Sequence, residues 1–249
     1  TQYANMLEYR VEIALWALSG VLPFIMLSLW SQNEISSTFG FNQIELSRYF
    51  LCAFLVRQFS VVWVVFSFEE DALLGRLSPY LLQPLHPLWR YVSSHLAEQL
   101  TRLPFAAIIT CIFFIINPQS FWRPTISQFL LAWISTILAF TIAFLLQSLI
   151  ASLCFWSEKA SAIERLLFVP YLFLSGLLAP LESFPPHVLK YSLYTPFPYL
   201  ISFPAKILSG STVDLTLGFS AQILWIIILL PIVLFLWKEG VKHYTAMGA

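Results

Sequence analysis

The sequence predicts an all-α fold: a polytopic membrane protein with six transmembrane helices, forming a single transmembrane domain over residues 1–249. Two observations carry that prediction. Hydrophobic residues make up 59% of the chain and charged residues only 10%, with a mean hydropathy of +0.78, which excludes a water-soluble core of this length. Six long apolar stretches, almost free of charge, also run between Val11 and Trp237. Each comes close to the roughly 20 residues a helix needs to cross the hydrocarbon. With no water at that depth to satisfy backbone groups, a helix is the element that such a stretch forms.

In order, the spans are read at about 13–31, 46–67, 91–116, 125–153, 160–181 and 217–238. The first apolar run, Ile13 to Trp30, has no small-residue cleavage pattern and reads as a mature helix rather than a signal peptide. The fourth carries a stripe of small residues, Ala132, Thr136, Ala139 and Ala143, which share one helix face and predict close helix packing. The sixth, Ile223 to Trp237, is bulky all round and reads as lipid-facing, interrupted by Pro231.

An even number of spans puts both termini on one side. With the termini in the cytoplasm, Arg10, Arg76, Arg90, Arg102, Lys159, Arg165, Lys238 and Lys242 lie at or near the inner face. Arg48, Arg123, Lys190 and Lys206 then lie outside, and this excess of positive charge within sets the orientation. Trp30 and Trp122 mark the outer edge, and Trp89, Trp156 and Trp237 the inner one.

Two connections are too elaborate for plain loops. Residues 68–90 open with acidic residues at 69–71, read as suiting a helix N-terminus, and continue through Leu73, Leu74 and Leu77 to Pro79, Pro84 and Pro87. The expectation is a compact, proline-stiffened element with exposed leucines, of the kind that marks a partner surface or lies on the membrane face. Residues 182–210, with the approach from Gly176, are too apolar for a solvated loop and too rich in proline for a straight span. Short helices dipping into the outer leaflet reconcile the two facts, and such backbone must line or cap something.

Chemistry-bearing residues are few. Net charge is zero, which gives no field for nucleic acid. Cys52, Cys111 and Cys154 fall in separate apolar stretches and read as small buried hydrophobes. None of the lysines follows a glycine, so no phosphate-binding Gly-Lys loop exists and any ATP must be held by another polypeptide. His95 with Glu98 is too small a set for a metal, and Glu158, Lys159, Glu164 and Arg165 read as helix-end pairs at the inner boundary. Arg57 stands apart. It sits near the middle of the second span, where a cation needs water or a partner. It is expected to face a polar cavity or subunit interface, or else to pair with glutamines or carbonyls near Gln58 or Gln147.

Four features in order complete the pattern: the segment Gly75-Arg-Leu-Ser-Pro-Tyr-Leu-Leu-Gln-Pro84, the run Gly176 to Pro180-Leu-Glu-Ser-Phe-Pro185, Thr195-Pro-Phe-Pro198, and the ending Trp237-Lys-Glu-Gly-Val-Lys-His-Tyr-Thr-Ala-Met-Gly248. On these the chain resembles the permease subunits of type 2 ABC transporters, the six-helix exporter family. The resemblance implies that 68–90 is a cytoplasmic coupling helix docking on an ATP-binding subunit, through Glu69, Glu70, Leu74, Gly75, Leu77, Ser78, Leu82 and Pro84. It implies that 182–210 forms extracellular re-entrant helices, with an exit gate of Gly176, Pro180, Phe184, Pro185, Pro196, Phe197 and Pro198. The implied partners are two ABC ATP-binding subunits carrying ATP and Mg, a second permease subunit and membrane lipid, with no cofactor on this chain. The implied setting is a bacterial plasma (inner) membrane. The expected function is ATP-driven export of a hydrophobic or amphipathic substrate, with no enzymatic activity of its own. Three other readings stand beside it: a secondary transporter or channel working without ATP, which predicts intramembrane carboxylates; a lipid-modifying enzyme; and a subunit that moves force rather than cargo.

Overall fold

The computed structural model describes residues 22–30, 42–157 and 159–244. The start of the first predicted span, Arg10, Glu158 and the end of the C-terminal tail lie outside those residues. Among the described residues the fold is helical, with no strand.

Ten α-helices follow one another among the described residues: α1 Leu22–Trp30, α2 Gln43–Ser60, α3 Val64–Leu73, α4 Leu77–Leu81, α5 Leu88–Ile116, α6 Ile126–Ser152, α7 Ala160–Leu174, α8 Pro186–Ser192, α9 Ser202–Ser209 and α10 Leu215–His243. Among the described residues four helical stretches are long and apolar enough to cross a membrane: Gln43–Leu73, Leu88–Ile116, Ile126–Phe155 and Leu215–His243. The fifth predicted span is shorter than expected. α7 stops at Leu174, so its 15 residues cover about 22 Å. It stops because Gly176 takes a left-handed φ of +84° just past the cap, a turn that closes a helix and that a Cβ resists.

Local chemistry sets the other boundaries. The Asn42 side chain accepts from the Ile44 amide, and Asp214 from the Leu217 amide. Thr125 and Gln128 form a reciprocal capping box at the start of α6. Pro231 falls inside α10 without ending it.

α2 is the centre of the bundle. Phe50, Leu51 and Phe54 are fully buried, packed against Ile142 and Leu145 of α6 and against Leu200, Ile201 and Ala205 of the 196–209 segment. Its composition explains the placement: Ser47, Tyr49, Arg57, Gln58 and Ser60 are buried in protein, where a lipid-facing helix would leave them unpartnered. The small-residue stripe of α6 faces inward, with Ala132 and Thr136 buried and Ala139 wholly so. α10 lies at the periphery, but one face of it is built for contact. A Cβ on Gly218 would stand 2.0 Å from the Phe203 ring, so only glycine lets α9 approach so closely. Within Ile223–Trp237, read as bulky and lipid-facing, most side chains are exposed, and Leu229, Val233 and Trp237 are buried against the bundle.

At the end of the bundle that carries the 74–87 turn, here called the hook end, three aromatic rings lock three segments together. Phe68 of α3, Phe155 after α6 and Trp237 of α10 meet edge to face with centroids 5.5–5.6 Å apart. His86 packs on the same Trp237 ring at 4.7 Å.

Candidate functional site

The second predicted span is broken. α2 ends at Ser60, Val61 is extended, and α3 begins at Val64. Four valines flank the break, and β-branched residues are weak helix formers. A break in the middle of a span frees backbone groups that lipid cannot satisfy, and here neighbouring side chains satisfy them. The Trp63 amide donates to His95 Nε2 at 2.9 Å, while His95 Nδ1 donates to the Tyr91 carbonyl at 2.8 Å, so the ring is neutral with its proton on Nδ1. Gln99 donates to the Phe59 carbonyl at 2.7 Å, and the Val65 amide donates to Gln147 Oε1 at 3.4 Å. His95, Gln99 and Gln147 are thus the supports of the break. His95 and Gln99 stand four apart on one face of α5, but Arg90, Ser93, Ser94, Glu98 and Arg102 surround them in the sequence, so nothing there singled the two out.

A cavity of about 130 Å³ opens beside the break. One wall is α6, through Ala143, Leu146, Gln147 and Ile150; the facing wall is α7, through Glu164, Leu167, Phe168 and Tyr171. Each set follows the i, i+3, i+4, i+7 spacing of a single helix face, so the cavity is a slot between two helices. The unwound Ser60–Trp63 segment closes one side, and Phe197 and Leu200 of the proline-rich segment close another.

Glu164 is the unexpected member. Sequence reading placed it among helix-end pairs at the inner boundary, but it is buried and accepts from Gln147 Nε2 at 3.3 Å. Gln147 therefore bridges the broken helix and α7. Arg57, in the last turn of α2, is buried and engages the Tyr171 hydroxyl, two helical turns along α7 from Glu164. Gln147, one of the partners considered for Arg57, is taken up by Val65 and Glu164. Glu98 pairs with the buried Arg102 at 3.4 Å.

At the hook end, the acidic residues 69–71 do not open a helix; they close α3. That end of a helix disfavours negative charge, and each carboxylate is held elsewhere. Glu69 accepts from the Ser161 amide at 2.7 Å and the Ser161 hydroxyl at 3.0 Å, in the first turn of α7. Asp71 accepts from the Tyr91 hydroxyl at 2.9 Å, and Arg76 pairs with Glu70 at 3.3 Å. Of the eight residues expected to couple, Leu77 is fully buried in the core and Glu69 faces α7, while Gly75 (φ +69°) and Ser78 are half-buried. Glu70, Leu74, Leu82 and Pro84 are exposed, Leu82 at 88%, and the sequence reading overlooked the exposed Leu85 and Trp89 beside them.

At the opposite end, the Tyr49 hydroxyl donates to the Gly176 carbonyl at 2.7 Å and the Ser202 amide to the Ser175 carbonyl at 2.9 Å. Gly176, Pro180, Pro196 and Pro198 are buried, Phe184 and Phe197 partly so, and Pro185 is exposed. Lys206 forms an ion pair with Glu182 across this segment. Gln222 of α10, wholly buried and missed in the sequence, accepts from the Ser135 hydroxyl at 3.1 Å and donates to the Tyr199 carbonyl at 2.9 Å. Among the described residues no cluster of three His, Cys, Asp or Glu is placed to hold a metal.

No curated protein matches the chain. The model of the ABC-2 family transporter protein matches residues 17–248, nearly its whole length, so the chain belongs to this family of transporter membrane subunits.

Proposed function

We propose that the chain is the permease subunit of an ATP-driven exporter, with ATP and Mg held by two separate ATP-binding subunits and a second permease completing the pathway. The hook residues Glu70, Leu74, Leu82 and Pro84 are the docking surface for the ATPase on the cytoplasmic side, and the 182–210 helices are the re-entrant outer gate. Both termini are cytoplasmic and the cargo is hydrophobic or amphipathic.

One observation carries this reading. α7 is tied at its first turn to α3, which leads into the hook, Glu69 to Ser161, and to the proline-rich segment just past its last turn, Ser175 to Ser202. A helix is stiff along its axis, so a displacement of the hook reaches the gate through α7 without a change of fold. Arg57, which holds α7 through Tyr171 in its last turn, keeps it in register with α2.

Gentle purification from native membranes tests the proposal. An ABC ATPase should come down with the chain, and Leu82→Asp should lower its recovery and abolish ATP-driven transport in proteoliposomes. Recovery of a lone chain, with flux indifferent to ATP, would sink it. One observation favours the second reading, transport without ATP: Glu164 is a carboxylate buried beside a cavity, the feature that ion-coupled carriers need. Flux driven by a pH or sodium gradient, and lost in Glu164→Gln, would decide for it.

A further inference from the structure

The slot between α6 and α7 has a chemistry of its own. Its walls are mostly apolar, four of its side chains are aromatic (Trp63, Phe168, Tyr171 and Phe197), and it contains one carboxylate, that of Glu164. Glu164 is 6% exposed, and a carboxylate so buried calls for a donor. Among the described residues it accepts from one neutral amide, Gln147 Nε2, which satisfies part of the acceptor capacity of two oxygens. The Ser60 hydroxyl, 3% exposed and lining the same slot, has no hydrogen-bond partner among the described residues.

A carboxylate, a spare hydroxyl and aromatic faces together select against anions and favour a cation. The apolar remainder favours a hydrocarbon chain. We infer that the slot binds an amphiphile with an ammonium head and an alkyl chain, the head against Glu164 and Ser60 and the chain running along Leu167 and Phe168 toward Tyr171. The length agrees: from Glu164 to Tyr171 is seven residues, about 10 Å along the helix. Because Ser60 and Trp63 belong to the break and Phe197 to the proline-rich segment, an occupant touches the unwound backbone, α7 and that segment at once. The site lies within one subunit and its occupancy requires neither ATP nor a second permease.

The test is photolabelling of the full chain in lipid nanodiscs, without nucleotide, with octylammonium carrying a mid-chain diazirine. Adducts are expected on residues 143–150 and 164–171. Plain octylammonium should displace the label about tenfold better than octanol, the ratio expected for one charge-assisted contact, and octyl sulfate should not compete. Glu164→Gln should weaken labelling by about the same factor, and Ala143→Phe, which fills the slot, should remove it. Melting curves identify a variant that has merely unfolded, and the comparison of the three competitors on the wild-type chain stands without any variant. Equal competition by the three chains, or label spread over the lipid-facing side of α10, would overturn the inference. Since no ATP is involved, such a failure leaves the exporter reading intact, and a failed transport assay leaves this binding result intact.

Discussion

Glu69 holds Ser161 by two hydrogen bonds, to its amide at 2.7 Å and its hydroxyl at 3.0 Å, and so places a carboxylate from the end of α3 at the start of α7. The acid that is misplaced with respect to its own helix dipole is well placed with respect to its neighbour's.

Breaking that pair should uncouple the two ends of the bundle. Glu69→Gln retains the shape but loses the charge, and hydrogen bonds to charged groups contribute about 1.5–3 kcal/mol each at most. Ser161→Ala should behave alike, and the double variant should cost no more than the worse single one. In proteoliposomes the expected outcome is ATP hydrolysis near the wild-type rate with transport reduced several-fold. Transport and hydrolysis falling together would contradict the role given to α7.

Gly176→Ala should destabilise the chain by about 1–3 kcal/mol or more, from the left-handed backbone alone. The added Cβ would also stand 2.3 Å from the Tyr49 hydroxyl and 2.8 Å from the Ser202 Cβ. Tyr49→Phe relieves the first clash, so the double variant should recover part of the loss in a thermal unfolding scan. A melting temperature unchanged in Gly176→Ala would show that this corner gives way freely.

Gln222→Leu should be among the costliest substitutions on α10. It removes partners from the Ser135 hydroxyl and the Tyr199 carbonyl, at about 1–3 kcal/mol per buried group left unsatisfied. By contrast, Leu224→Ala, on an exposed part of the same helix, should leave the unfolding temperature in micelles nearly unchanged.

The hook should weaken in acid. Burial lowers the pKa of His86 below its ordinary 6.5, and its Nδ1 accepts from the Leu88 amide at 3.3 Å, which only a neutral ring can do. Below 6.5 the unfolded chain takes up a proton that the folded hook resists. The contribution of His86 is therefore complete above that pH and is lost as pH falls through the lowered folded value. Hydrogen exchange of the 82–88 amides should quicken over that window. His86→Phe, which keeps a ring on Trp237, should flatten the response.

Much of the architecture was readable from composition because lipid is a demanding solvent. Long apolar runs in it become helices, and the positions of α5, α6 and α10 follow the predicted spans to within a few residues. The inward face of the small-residue stripe followed from helical period alone. The break in the second span did not, since a run such as Ser60-Val-Val-Trp-Val-Val is as apolar as any continuous helix. Whether it breaks depends on His95, Gln99 and Gln147 arriving from two other helices to accept and donate what the backbone gives up.

The chain alone thus determined its solvent, its helical class, its two proline-rich connections and its lack of a nucleotide loop, because each is a property of local composition and period. Tertiary structure decided which polar groups meet. It turned the acids at 69–71 from an expected helix start to partners of α7, Tyr91 and Arg76, and moved Glu164 from an expected boundary pair to the wall of a slot. The physical reason is that a hydrogen bond reaches about 3 Å. Partners 92 residues apart in sequence, such as Glu69 and Ser161, are chosen only when the packing of whole helices has brought them within that reach.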